Sequence, residues 1–355
     1  MSGGGVVARS YQVDGLTLSK GNAANRDLVQ DLQRDLRALG YLRSGIDGDF
    51  GSGTEGAIRA LQFDLTDTVA RPVPGDGPPP VKISDFNKSR VAAITGELDQ
   101  KLAACLSNLI DDAGVPKLPF ADDPALANRN AIGLIAGSAN TAAPVAFILA
   151  MMLQESDAQH FRVPAGRNED NYVVVGLDRN SKGEPDRITS RGYGIGQYTI
   201  FHHPPRADEV AGFIADPVAN VSKAFKELRE KFDRFVTGPA SRADDRDAEH
   251  PMLDLRECKF ARSDPRFMRD CRRCAEEAGK RDIAAGMPVY AGASETYQPT
   301  QYYKSASYSG VPVRADFLCD WPYALRRYNG SGVNSYHYQA RVLLNLMSNA
   351  IAPGS

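Results

Sequence analysis

The sequence predicts a mainly α-helical protein: a small three-helix domain, then a larger helical domain with a short β element and a long insertion. Three observations carry this reading. Leucines recur at helical spacing twice in the first third of the chain, as Leu28, Leu32, Leu36, Leu39 and again as Leu98, Leu102, Leu106, Leu109. The run from Ala142 to Leu153 is apolar on nearly every face, as in a helix inside a large domain. Only Tyr172-Val173-Val174-Val175 reads as a strand. At 355 residues, 42% of them hydrophobic, the chain has the length for about two domains and the material for their cores.

The elements follow in order. Residues 1–24 are a Gly- and Ser-containing leader. Gly40 ends the first helix as a residue that accepts a left-handed conformation. A tight loop, Ile46 to Thr54, leads to a second helix, where Ser52 and Glu55 have capping-box spacing and Ala57, Ile58, Leu61 and Leu65 face inward. The proline-rich stretch 71–80 holds no helix and reads as an insertion. The third helix is expected over 94–109. Residues 25–110 then form the first domain, 111–128 a linker and 129–355 the second domain. In the latter, helices are expected from Thr141 with Pro144 in the first turn, from Asp216-Pro217, and over 335–351. Residues 238–316 break the rhythm, with dense mixed charge and three cysteines, and read as an insertion.

Composition excludes several functions. Basic and acidic side chains number 42 and 44, a net charge of −2, which argues against a sequence-independent nucleic-acid binder and a polybasic membrane surface. The longest apolar run falls short of the about 20 residues that span a bilayer, so no membrane insertion is expected. The opening MSGGGVVARSYQVDG lacks the apolar stretch of a secretory signal. Five cysteines are too few to build a fold of this size.

Two resemblances follow from motifs. Leu39-Gly40-Tyr41, Asp47-Gly48-Asp49-Phe50-Gly51 with Thr54, and Leu61-Gln62 resemble the three-helix peptidoglycan-binding module found beside bacterial wall enzymes. The glycines permit the turn, Phe50 plugs the core and Thr54 helps start the next helix. The resemblance implies binding of stem peptide or glycan, with Tyr41, Asp47, Phe50 and Thr54 as the motif's marker residues.

The second resemblance rests on four pieces in one order: Glu155-Ser156 at the end of the apolar helix, Gly192-Tyr193-Gly194-Ile195-Gly196-Gln197-Tyr198, Asp216-Pro217-x-x-Asn220, and Ala324-Leu325-Arg326-Arg327-Tyr328-Asn329-Gly330. This order resembles the lysozyme-like domain of lytic transglycosylases and goose-type lysozymes. It implies cleavage of the β-1,4 bond between N-acetylmuramic acid and N-acetylglucosamine. The chemistry needs a carboxyl still protonated near neutral pH. Glu155 follows buried apolar residues and sits at a helix C-terminus, and both circumstances disfavour its charge. The resemblance implies a sugar groove at Gly194, Gln197 and Tyr198. It makes Tyr328 the tyrosine over the acid, Asn329 a sugar or backbone contact, and Ser156 a neighbour that orders the acid. A hydrolase needs a second carboxylate as base; Asp186 is the first candidate, Asp170 and Asp178 the others. A lytic transglycosylase needs none, and the two outcomes stay open.

Other features are ambiguous. Cys271-Arg-Arg-Cys274 with Cys258 and Cys319 has the residues of a four-cysteine zinc site or of two disulfides. Asp178-x-Asn180-x-Lys182-Gly183 begins like a calcium loop but places Lys182 at a ligand position. Apart from the adjacent His202 and His203, the histidines show no metal spacing. The tyrosines over 290–308 fit either glycan stacking or core packing. No metal or cofactor is therefore expected. The expectation is a muramidase whose partners are the glycan strand and stem peptide, with an immunity protein as a further partner. It would be made in the bacterial cytoplasm without a signal peptide and act in the periplasm, as a type VI secretion effector or a phage endolysin. The alternative is a non-catalytic wall anchor with a lysozyme-like body.

Overall fold

The computed structural model describes residues 9–21, 25–69, 73, 77–88, 90–138, 142–237, 257–274, 319–330 and 333–347. Most of the 238–316 insertion, including the tyrosines over 290–308, lies outside them, as do half of the 71–80 stretch and the part of the expected last helix beyond Met347. The fold is mainly helical with one small sheet, as the sequence predicts. The chain forms two compact units: unit 1 comprises Met1–Asn128 with Gln159–Asn220, and unit 2 comprises Arg129–Ala158 with Val221–Ser355.

Unit 1 begins with α1 (Arg26–Ala38), whose N-cap Asn25 accepts from the Asp27 amide. The leucine stripe of α1 is buried: Leu32 and Leu36 are fully inaccessible and Leu39 nearly so. Gly40 takes a left-handed conformation (φ 76°), and the Gly40 and Tyr41 amides donate to the Arg37 and Leu36 carbonyls, closing the helix end with two bonds. Helix α2 (Ser52–Thr66) starts where expected, but the capping box does not form. The helix takes Gly51 as its cap, so Ser52 already lies in the first turn; Glu55 pairs with Lys20 instead. Helix α3 spans Gln100–Asp111, six residues later than the expected start at 94, because Asp99 caps it by accepting from the Leu102 amide. Residues 95–97 stay in a loop gripped by Gln62. Its side chain accepts from the Thr95 and Gly96 amides and donates to the Glu97 carbonyl. The apolar faces of α1, α2 and α3 share one core.

The same unit holds an antiparallel sheet of β1 (Val175–Asp178), β2 (Ser190–Tyr193) and β3 (Tyr198–Ile200) in that order. Val175 pairs with Tyr193, and Tyr193 with Tyr198. The expected strand at 172–175 is thus displaced: Tyr172 and Val173 form only single bridges, to Phe120 and Phe161. A buried ion pair binds α1 to this part of the chain. Arg37, wholly inaccessible, reaches Asp170 at 3.0 Å and donates to the Leu42 and Val173 carbonyls. Such a charge is tolerable inside only because its donors are met.

Helix α4 (Pro124–Ala136) passes from unit 1 into unit 2. Unit 2 is built round α5 (Val145–Ser156), with Pro144 as its N-cap and Asp157 closing it in a left-handed conformation. After the three-residue helical turn α6 (Ala207–Glu209), α7 (Pro217–Phe232) opens as predicted: Asp216 accepts from the Val218 and Ala219 amides. Helix α8 (Trp321–Tyr328) and α9 (Val333–Met347) complete the unit, and α9 packs along α5. Trp321, almost inaccessible, lies against Phe232 with ring centres 4.3 Å apart. No described helix is long and apolar enough to cross a membrane.

Candidate functional site

The four motifs of the second resemblance fall into two pairs. Glu155-Ser156 and the Tyr328 segment lie in unit 2; the glycine motif and Asp216-Pro217-x-x-Asn220 lie in unit 1.

In unit 2, Glu155 is the next-to-last residue of α5 and is partly buried. Its Oε1 accepts a hydrogen bond of 2.6 Å from the hydroxyl of Tyr338 on α9. Burial raises its proton affinity above that of an ordinary glutamate, and the charge of Glu227 on α7 adds to this; the Tyr338 bond works the other way. Glu227 itself is pushed up by burial. Tyr328 stacks on Tyr338, ring centres 6.2 Å apart and planes 26° from parallel. The hydroxyl that grips Glu155 therefore belongs to Tyr338, with Tyr328 behind it. Ser156 donates back to the Met152 carbonyl, and Asn329 is the exposed C-cap of α8. Sequence reasoning missed Tyr338 and Glu227. Glu227 has Lys231 at i+4, the pattern of an ordinary surface pair.

In unit 1, the turn from Gly194 to Gln197 is clamped from two sides. Asn220, fully buried, accepts from the Gly196 amide at 2.7 Å and donates to the Tyr193 carbonyl at 2.9 Å. His160 accepts from the Ile195 amide through Nδ1, while Nε2 contacts the Ile214 carbonyl. Only the neutral Nε2–H tautomer satisfies both, and burial lowers the imidazole's pKa to about 4. Gly194 is left-handed (φ 69°), and a Cβ there would come within 2.5 Å of the His160 ring. Gln197 donates to the Gly194 carbonyl at 2.7 Å, and its Oε1 lies over Gly176 and Gly192 of the sheet, where no Cβ fits. Tyr198 packs edge-on against Phe213.

The candidate bases are all engaged inside unit 1. Asp186 makes a two-pronged pair with Arg59 of α2, at 2.7 and 2.9 Å. Asp170 is buried with Arg37, and Asp178 accepts from the Ser190 hydroxyl. Among the described residues, no three His, Cys, Asp or Glu side chains stand ready around a metal ion, at the 178–183 loop or elsewhere.

Three of the four marker residues of the N-terminal motif are buried. Gln33 of α1 organises the 46–54 loop: it donates to Asp47 Oδ1, the Asp49 carbonyl and Thr54 Oγ1, and accepts from the Gly48 amide. Phe50 and Thr54 are buried; Tyr41, buried too, donates to Asp64 at 2.8 Å. Tyr41, Phe50 and Thr54 thus lie in the fold's interior, while Asp47 is half-buried at the loop. Unit 1 also contains a cavity of about 570 Å3, lined by Phe63, Asp67, Val69, Arg187, Arg191 and Phe201 among others. Val69 and Phe201 are large exposed apolar members; the lining sets Lys82, Arg187 and Arg191 beside Asp64, Asp67 and Asp85, with Arg187 paired to Glu184 and Arg191 to Asp64.

Residues 25–65 match the family model described as "Putative peptidoglycan binding domain". The match runs from the cap of α1 to the last turn of α2 and supports peptidoglycan as a partner of this chain. No curated protein and no solved structure matches the chain.

Proposed function

We propose that this peptidoglycan-associated protein is a muramidase that cleaves the N-acetylmuramic acid–β-1,4–N-acetylglucosamine bond with Glu155 as general acid. The observation that carries the reading is Glu155 at the end of a buried helix, its proton affinity raised by burial and its Oε1 occupied by the Tyr338 hydroxyl. With Oε1 accepting, the acidic proton resides on Oε2. There it can pass to the glycosidic oxygen as the C–O bond breaks and an oxocarbenium-like centre develops. Asp186, Asp170 and Asp178 already have partners, which favours attack by the muramic 6-hydroxyl over base-activated water. The product would then carry a 1,6-anhydro end. The cavity suits a stem peptide that would pack on its exposed Val69 and Phe201. Activity on the wall requires delivery to the periplasm, as an injected antibacterial effector or through a phage holin.

Glu155→Gln should abolish release of soluble muropeptides from purified sacculi while pelleting with sacculi persists. Mass spectrometry of the wild-type products should show ends lighter by one water. Phe201→Ala should weaken pelleting without touching the acid. The second reading, a wall anchor, draws on the confinement of the family match to residues 25–65. It predicts pelleting with no muropeptide release even from the wild type.

A further inference from the structure

We propose that Cys258, Cys271, Cys274 and Cys319 form a four-thiolate zinc site that pins the 257–274 segment to the start of α8. None of these cysteines is in a disulfide. In sequence they are scattered over more than sixty positions, yet all four line one cavity within unit 2, of about 10 Å3, room for a single ion or water. Phe147 of α5 and Trp321 of α8 supply its apolar walls, and Lys259 brings a positive charge.

Two of the four sulfurs accept backbone amides. The Met268 amide donates to Cys258 Sγ at 3.4 Å, and the Trp321 amide donates to the Cys319 sulfur from two residues ahead. Amide donors of this kind stabilise thiolates and metal-bound sulfur far more than they do neutral thiols. Cys271 and Cys274 stand one helical turn apart, which lets a C-x-x-C pair offer two sulfurs to one point. Zinc binding would replace four S–H bonds with four Zn–S bonds and release four protons. Four sulfur ligands in tetrahedral array select zinc or iron–sulfur chemistry, and a cavity with space for one ion favours the mononuclear metal. The sulfurs are gathered but not yet at ligand spacing. Binding would have to draw them onto one centre, about 2.3 Å from each.

The test is metal analysis of the full-length chain, purified without added metal or chelator. One zinc per chain is expected. On denaturation in chelator the unreduced protein should expose five reactive thiols. Cobalt titrated into the zinc-stripped protein should give the intense charge-transfer absorption of a tetrathiolate. The double variant Cys271→Ser/Cys274→Ser should lose at least nine-tenths of the zinc, whereas Cys105→Ser should keep it. Iron in place of zinc, a metal-free chain with five thiols, or a chain exposing one thiol because two disulfides have formed would each overturn the proposal. So would zinc retained by the double variant. Metal content and thiol count on the wild type decide the matter even if the double variant does not fold.

Discussion

The hydroxyl of Tyr338 is the structural control on Glu155, and its removal tests the acid assignment. Tyr338→Phe keeps the buried ring and its stacking on Tyr328 and deletes one donor, the 2.6 Å bond to Glu155 Oε1. A hydrogen bond to a charged group contributes about 1.5–3 kcal/mol. The neutral acid accepts the same bond, for about 0.5–1.5 kcal/mol, so only the difference of about 1–1.5 kcal/mol counts; at 1.36 kcal/mol per tenfold, the loss shifts the ratio of neutral to ionised Glu155 by about tenfold toward the neutral acid. A general acid works only while protonated, so lysis falls as pH rises through its titration. The alkaline limb of the wild-type pH–rate profile should therefore move to higher pH in Tyr338→Phe. Removing the neighbouring negative charge with Glu227→Gln should move the limb the opposite way, since that charge raises Glu155's proton affinity. The assay is the initial rate of turbidity loss of purified sacculi across pH, at saturating substrate. If the limb stays in place in both variants, or shifts in the same direction in both, Glu155 is not the group that titrates.

Three further outcomes follow from the structure. Because burial raises Glu155's folded proton affinity above its unfolded one, its contribution to stability is full below the unfolded range, about pH 4. It is lost as pH rises through the folded value, so Glu155→Gln should match the wild type in urea at acid pH and exceed it at pH 8. Asn220→Ala strands the Gly196 amide and the Tyr193 carbonyl, both without water access, and should cost about 2–4 kcal/mol in urea unfolding. Gln33→Ala removes four bonds that hold the 46–54 loop. It should lower both stability and retention on sacculi, read by calorimetry and by pelleting.

Local signals in the sequence were legible where a single helix determined the outcome. The leucine stripe of α1, Gly40 at its end, the opening of α7 at Asp216-Pro217 and the position of Glu155 at the end of α5 all follow from short-range rules. Where two short-range rules competed, the reading erred. Ser52 and Asp99 both had cap chemistry, but Gly51 could take the extended cap conformation one residue earlier. Gln62 held 95–97 in a loop, which left Asp99 to start α3. Pairings across long separations were out of reach. Asp186 has the look of a loop carboxylate until Arg59, 127 residues away, is seen to hold it. Tyr328 and Tyr338 sit on successive helices within ten residues, and nothing local says which one turns its hydroxyl to Glu155. The link between the glycine turn and the Asp216 helix was likewise hidden, since it depends on Asn220 and His160 reaching it from opposite ends of the segment.

The Arg37–Asp170 pair, its members 133 residues apart, bears on how such a protein can be inherited or rebuilt. A segment recognised as a wall-binding cassette would ordinarily be exchangeable by recombination at its edges. Here, moving residues 25–65 elsewhere would leave Asp170 in a dry interior with only the partly exposed Arg162 for a counter-charge, and would give the new host an arginine with no anion to meet. Breaking such a buried pair costs about 3–5 kcal/mol, a large share of a typical domain's margin against unfolding. Any ancestor that acquired this cassette had to acquire its counter-charge in the same lineage, and any engineer grafting it must carry both.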